Sequence, residues 1–320
     1  MGRLIVAALV AAGLWMGFWV VAQTALDRGI RAYLEGPQPG VRLTADDISV
    51  VGFPNRLDTR LTEVELTLPE TGTIWTAPFV QLYALVYRPT EVIADLPPAH
   101  RVETPLQRID IAHDKARASV SLMATRDLAL DRATLVIDDA RLSSSLGWSG
   151  EGRQLRLSIA ETEPAIYRLG LEGLDIALDP LPEGVPGTLS RIHLDATAAF
   201  TRAWDRSAMN EATLPQITEL EISDITIDWG AVALVARGEL SVDGLGRPDG
   251  TLDLAVTGWQ EALSTLTEIG LIPNDAAPAL RFALGALADG DRLDVPLGFR
   301  GGLTTLGPLP IGPAPNLAIR

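Results

Sequence analysis

No cysteine occurs in the 320 residues of this chain. That absence removes disulfide staples, thiolate nucleophiles and cysteine-ligated metals together, so stability has to come from a buried core, which a chain of this length can build. Lysine is nearly missing too, with Lys115 alone beside twenty-five arginines. The bias fits a GC-rich, bacterial coding habit and carries no functional information. Positive charge is scarce overall: 26 basic against 41 acidic residues leave a formal net charge of −15. The arginines are scattered singly among acids, and a surface without clustered cations cannot release counterions from a phosphate backbone. Nucleic acid is thereby excluded as a partner.

One long uncharged run is present. The nineteen residues Leu4–Ala22 are rich in Leu, Val, Ala and Trp, and as a helix they rise roughly 28 Å, about one bilayer core. Their apolar side chains point in every direction, as lipid contact requires and a one-sided core helix does not. This predicts a transmembrane signal-anchor over 4–22 with residues 1–3 as a short cytoplasmic flank. Orientation rests on that short flank, because Arg3 before the span and Asp27, Arg28 and Arg31 after it leave the positive-inside rule undecided. Val20-Val21-Ala22 before Gln23 also suits signal peptidase; cleavage there would turn the anchor into a signal peptide and leave export intact. Met1-Gly2 is not a myristoylation signal, since Val6 stands where a hydroxyl is required. The helix is expected to continue to Leu34 and to stop in Glu35-Gly36-Pro37-Gln38-Pro39-Gly40, a stalk and linker over 23–40.

From residue 41 to 320 the dominant pattern is period-two alternation, which places apolar residues on one sheet face. It is clearest in Thr251–Thr257 and Leu234–Asp243, a hairpin around the Gly-rich loop 244–250. Comparable runs occur at Thr62–Leu68, Ser119–Met123, Thr134–Asp138, Gln154–Ile159, Leu174–Leu178, Arg191–Thr197 and Asp224–Trp229. Helical spacing is confined to Trp259–Ile269 and Ala276–Ala288, ended by Gly270 and Gly290, while Phe200–Glu211 reads equally as a short helix or a loop. The prolines from Pro308 to Pro315 make an extended tail that is no central strand throughout. The expected fold is mainly β (α+β): a large curved antiparallel sheet, as one domain or as two subdomains dividing near residues 200–215, with a few short helices near the C-terminus.

Candidate chemistry is thin. His100, His113 and His193 are dispersed over a loop, a turn and a strand, without metal-ligand spacing, and read as surface residues. Gly147-Trp148-Ser149-Gly150-Glu151 resembles a hydrolase elbow until Glu151 replaces the last glycine, and no helix follows it. Gly244-Leu245-Gly246 lies between strands, where a phosphate cradle needs a helix N-terminus. Asp46-Asp47 and Asp138-Asp139 would point to opposite faces of a strand. The tryptophans Trp75, Trp148, Trp204, Trp229 and Trp259 read as core more readily than as a pocket lining. No catalytic residue, cofactor or metal site emerges, and an enzyme is not expected. The most distinctive local pattern is Val51-Gly52-Phe53-Pro54-Asn55-Arg56-Leu57-Asp58-Thr59. It reads as a tight strand connection, or as a binding rim formed by Phe53, Asn55, Arg56 and Asp58.

Taken with the N-terminal span Leu14-Trp15-Met16-Gly17-Phe18-Trp19-Val20-Val21-Ala22 and with Trp75-Thr76-Ala77-Pro78-Phe79, Tyr83–Pro89, Gly238–Trp259, Val295-Pro296-Leu297 and Leu306–Pro315, that segment resembles the bacterial domain of unknown function 2125 family. The resemblance brings no reaction and no catalytic residues. At the level of fold, the anchor followed by Gly-x-Leu-x-Leu strands is similar to the AsmA-type envelope proteins, which implies a link to lipid handling. The resulting expectation is an inner-membrane, single-pass protein with a periplasmic domain that binds or shields lipid or another hydrophobic ligand. A periplasmic scaffold or interaction module without ligand stands beside it, and a hydrolase with a dispersed site behind both.

Overall fold

The computed structural model describes residues 2–38, 40–182, 184–208 and 214–319. Residues 209–213, inside the stretch where a subdomain boundary and an undecided helix were expected, lie outside the described residues, as does Pro39 of the expected linker. The fold is mainly antiparallel sheet, with one long N-terminal helix and two short helices near the C-terminus. The chain forms two compact units, Met1–Ser121 with Ala140–Gly147, and Leu122–Asp139 with Trp148–Arg320.

The first unit opens with α1 (Gly2–Glu35), an unbroken helix of 34 residues that carries the apolar run straight into the expected stalk. Gln38 closes it, its side-chain amide donating to the last-turn carbonyls of Tyr33 and Leu34, the former also accepting the Gly36 N–H. The strands are β1 (Arg42–Thr44), β2 (Asp47–Val51), β3 (Arg56–Leu68), β4 (Thr73–Leu85), β5 (Arg88–Asp95), β6 (Ala99–Glu103), β7 (Arg108–Ala112) and β8 (Lys115–Leu122), joined by the end of β9 (Leu130–Ser144). β3 pairs with β4 along its length and with β1 and β2 in succession on its other side. β4 likewise pairs with β5 and then with β6, the interruption falling at Pro97-Pro98, where a ladder donor is missing.

The core of this unit gathers Ile48 and Val50 of β2, Leu57, Leu61 and Val64 of β3, and Val80 and Val86. Against it pack Trp19, Ala22, Leu26, Ile30 and Leu34 of α1, a stripe at spacings of three and four. The helix is therefore of two kinds along its length. Its N-terminal half is exposed all round, with Leu4, Leu9 and Leu14 each at least two-thirds open, and its C-terminal half is one layer of a folded unit.

The second unit contains β10 (Ser149–Glu163), β11 (Ile166–Asp179), β12 (Thr188–Phe200), β13 (Ile217–Trp229), β14 (Val232–Val242), β15 (Pro248–Thr257), α2 (Trp259–Glu268), α3 (Ala277–Gly285), β16 (Arg292–Arg300), β17 (Leu303–Leu306) and β18 (Leu309–Pro313). Strands β10 to β18 pair antiparallel in chain order. The expected hairpin is β14–β15, closed by Val242 opposite Pro248, and both expected helices are present within two or three residues of their anticipated ends. Gly147–Glu151 leads into β10, a strand, so the elbow geometry is excluded. The recurrent glycine of the strand pattern has a steric cause at Gly238 and Gly250. Both have φ near +150°, and a Cβ on either would lie 2.3 Å from a carbonyl oxygen of the adjacent strand.

Candidate functional site: an apolar sheet face

Register turns the alternation of single strands into rows across the second unit. One row runs Leu155, Gly173, Ile192, Ile227, Leu234, Val256 and Leu293. The next runs Leu157, Leu171, Leu194, Ile225, Ala236, Leu254 and Val295 through the same pairings. Every member is aliphatic or glycine, so one face of β10–β16 offers a continuous hydrocarbon surface. The opposite face is charged: Arg168 of β11 meets Asp195 of β12 at 2.6 Å, Arg191 meets Glu172 at 3.5 Å, and Arg237 meets Asp224 at 3.2 Å. The guanidinium of Arg168 holds the Asp195 carboxyl below its usual range.

The apolar face is covered unevenly. Over β14–β16, Trp259, Leu263 and Leu284 of α2 and α3 bury Val232, Val256, Leu293 and Val295. At one end of β11–β13, Trp204 and Ile319 pack around Tyr167, Ala198 and Phe200. Across the middle of β10–β13 the side chains stay half-open: Leu155, Leu171, Ile192 and Ile227 are of intermediate burial, and Leu157 and Leu178 are exposed. Where β11 ends and β12 begins, a cavity of about 510 Å³ is lined by Ile176, Leu178, Leu181, Pro182, Pro186, Leu189 and Trp229, with Glu268 and Ile269 at the end of α2. The Trp229 indole donates to the Pro186 carbonyl at 2.8 Å. The hydrogen bond turns the ring's polar edge to the loop and leaves its carbon edge to the cavity. Trp229 thus serves as a lining residue, whereas Trp259 fills core as the sequence suggested. Burial signals could not separate the two, because both follow alternating or helical apolar positions.

The Phe53 segment lies in the first unit, in the turn between β2 and β3. Phe53 is half-exposed and meets Trp19 edge-on at 5.5 Å. Asn55 accepts the Val86 N–H through its carbonyl at 2.9 Å. Arg56 pairs with Asp58 at 2.9 Å, and its guanidinium lies 5.4 Å from the centre of the Tyr83 ring. The four residues are together, as adjacency in a turn demands.

Two histidines thought dispersed prove adjacent. His100 lies in β6 rather than in a loop, and its ring centre is 5.3 Å from that of His113. The Trp75 indole donates to His100 Nδ1 at 2.9 Å. His113 is 3 % exposed, and neither of its ring nitrogens has a hydrogen-bond partner among the described residues. His100 borders a cavity of about 740 Å³ whose walls include Glu63, Glu65, Arg101, Asp110 and Arg141. His193 remains apart on β12, 3.9 Å from Asp224.

With these features in place, comparison with known families gives one match: the profile described as "Uncharacterized protein conserved in bacteria (DUF2125)" covers residues 19–315. The chain belongs to DUF2125. The matched region of this DUF2125 chain begins at Trp19, the residue at which α1 starts to pack on its sheet. No curated protein and no solved structure matches.

Proposed function

We propose that this DUF2125 protein is held in the bacterial inner membrane by α1 and works on the periplasmic side. There it carries a lipid acyl chain, or a ligand of the same aliphatic character, on the open part of the β10–β13 face. The observation that supports it is the half-open hydrocarbon surface of β10–β13 with its apolar cavity of about 510 Å³. Exposed aliphatic surface of this extent is costly in water and is characteristic of a surface with an occupant. Leu, Ile and Pro walls with few directional polar groups suit a chain of methylenes better than a polar substrate. α1, long and apolar enough to span a membrane, puts such chains within reach, and the AsmA-type likeness of the strand pattern points the same way by analogy. No chemistry on the bound molecule is part of this reading. A scaffold that docks a protein on the same face is the second reading; the recess beneath Trp229 and Ile269 favours a small ligand over a flat partner.

The test is a photo-crosslink in native membranes. Cells fed a diazirine fatty acid are irradiated, the full chain is purified, and crosslinked peptides are mapped by mass spectrometry. Adducts on β10–β13, lost in Leu171→Glu and Ile192→Glu variants that keep the wild-type circular dichroism, are expected. Adducts confined to α1 would refute the carrier reading.

A further inference from the structure

The β2–β3 turn of the first unit is tied to α1 at an unexpected height. The Trp15 indole donates to the Pro54 carbonyl at 2.9 Å, the Trp19 indole to the Arg56 carbonyl at 2.9 Å, and Gln23 Nε2 to the Val50 carbonyl at 3.2 Å. β2 therefore runs back along the helix toward its N-terminus, and its turn reaches the level of Trp15, well inside the apolar run 4–22. Residues 3–14, the part of α1 ahead of the first of these contacts, rise only about 18 Å, whereas a hydrocarbon core is about 30 Å thick. A helix entering at Arg3 crosses that thickness only near Gln23, and any tilt lengthens the requirement. We propose that the β2–β3 turn, with the β4–β5 turn beside it, is set into the outer leaflet of the bilayer as a second membrane contact. The proposal rests on the reading of α1 as a spanning anchor.

The side chains and backbone there fit a lipid surroundings. Val51, Phe53 and Tyr87 are more than half exposed although large and apolar. Together with Trp15 and Trp19 they form the aromatic and aliphatic cluster characteristic of a bilayer interface. Backbone polar groups are costly where water is scarce, and the carbonyls of Gly52, Pro54, Asn55 and Arg56 are occupied. Gly52 accepts from the Arg56 N–H and Asn55 from the Val86 N–H, both at 2.9 Å, while the indoles take Pro54 and Arg56. Residue 54, a proline, brings no N–H of its own. The exposed Asn55 side chain and the long stems of Arg56 and Arg88 can extend from the turn toward phosphates and headgroups, which suits a turn on the outer-leaflet side of the midplane.

The cysteine-free chain permits a direct test. Full-length Leu9→Cys, Phe53→Cys, Tyr87→Cys and Thr71→Cys variants are labelled with a polarity-sensitive fluorophore in phosphatidylethanolamine–phosphatidylglycerol vesicles. Each is then quenched by aqueous iodide or by nitroxide lipids. Thr71 is the control, because the 13-residue strand β3 places it about 40 Å from the turn. The expected result is loss of iodide quenching and gain of lipid quenching at Leu9, Phe53 and Tyr87, with Thr71 open to iodide. Tyr87 makes the outcome independent of any change in the packing of Phe53 on Trp19. If labels at Phe53 and Tyr87 are quenched by iodide as freely as at Thr71 while Leu9 stays protected, the embedded turn is refuted and the anchor stands. If Leu9 is open to iodide, the anchor itself fails and the inference with it.

Discussion

Mild acid should weaken this protein through one pair of side chains. Burial first, and the neighbouring His113 second, push the pKa of His100 from 6.5 down to about 4. Burial lowers His113 too, against the pull of Asp114. Both rings therefore stay neutral in the folded chain at pH values where they take a proton in the unfolded chain. Between about pH 6.5 and pH 4 the unfolded state binds more protons. The contribution is thus complete above about 6.5 and is lost as the pH falls toward 4. For His100 the loss at about pH 5 comes to roughly 2 kcal/mol for a fully sequestered ring, and to about 1 kcal/mol after partial solvent contact is allowed for. His113 adds with the same sign. Carboxyls lowered by ion pairs, Asp95 beside Arg117 and Asp195 beside Arg168, titrate below this window and do not mask it. The assay is urea unfolding of the full chain in detergent between about pH 7.5 and pH 5, beside a carbon-13 NMR titration of its three histidines. Wild type should lose stability in this window, and a His100→Gln, His113→Leu double variant should lose much less. An imidazole at position 100 titrating near 6.5, or an unchanged pH slope in the double variant, would refute the reasoning.

Three further outcomes follow from packing. Gly250→Ala forces a Cβ to 2.3 Å from the Glu239 carbonyl at a φ of +146° and should cost more than about 2 kcal/mol, read as a large drop in the thermal midpoint. Tyr167 is fully buried and its hydroxyl accepts the Trp204 N–H at 3.1 Å. Tyr167→Phe leaves that N–H without its acceptor and should cost about 1–3 kcal/mol, measured by urea unfolding. Trp19→Phe keeps a ring against Phe53 but removes the donor to the Arg56 carbonyl, for a loss of about 1 kcal/mol. Hydrogen exchange in residues 52–57 should rise, and no change there would count against the tie.

Faces were legible in the sequence, whereas most pairings beyond the β14–β15 hairpin were not. Period two tells which residues share a side of a strand, but β4 choosing both β5 and β6 depends on where Pro97-Pro98 breaks the ladder. The run 4–22 announced a span, yet the stripe Trp19, Ala22, Leu26, Ile30 and Leu34 was hidden because its first members belong to that same run. The turn at Gly52–Arg56 was visible as a turn, while its partner Trp15 lies 39 residues away from Pro54. The histidine pair does leave a trace in the sequence. With a turn at Thr104–Gln107, His100 faces Ile111 and the His113 N–H reaches the Pro98 carbonyl. In such a hairpin the positions 98 and 113 share a face with 100 and 111, so recognising that turn would have brought the two rings together.

Whether the alternating strands close over a filled core or leave a surface open was the question alternation could not answer, and coverage decides it. Seven paired strands, β10 to β16, span about 29 Å at 4.8 Å spacing, and strands of 13 or 14 residues such as β11, β12 and β13 run about 43 Å. The apolar face is thus of order 1,200 Å². The two helices have 10 and 9 residues; at about 1.5 Å per residue and 10 Å in width they shade about 300 Å². Trp204, Ala314 and Ile319 close part of the remainder, and Leu155, Leu171, Ile192 and Ile227 in the middle of β10–β13 stay of intermediate burial. The half-open aliphatic rows therefore follow from the extent of the covering residues as much as from the side chains themselves.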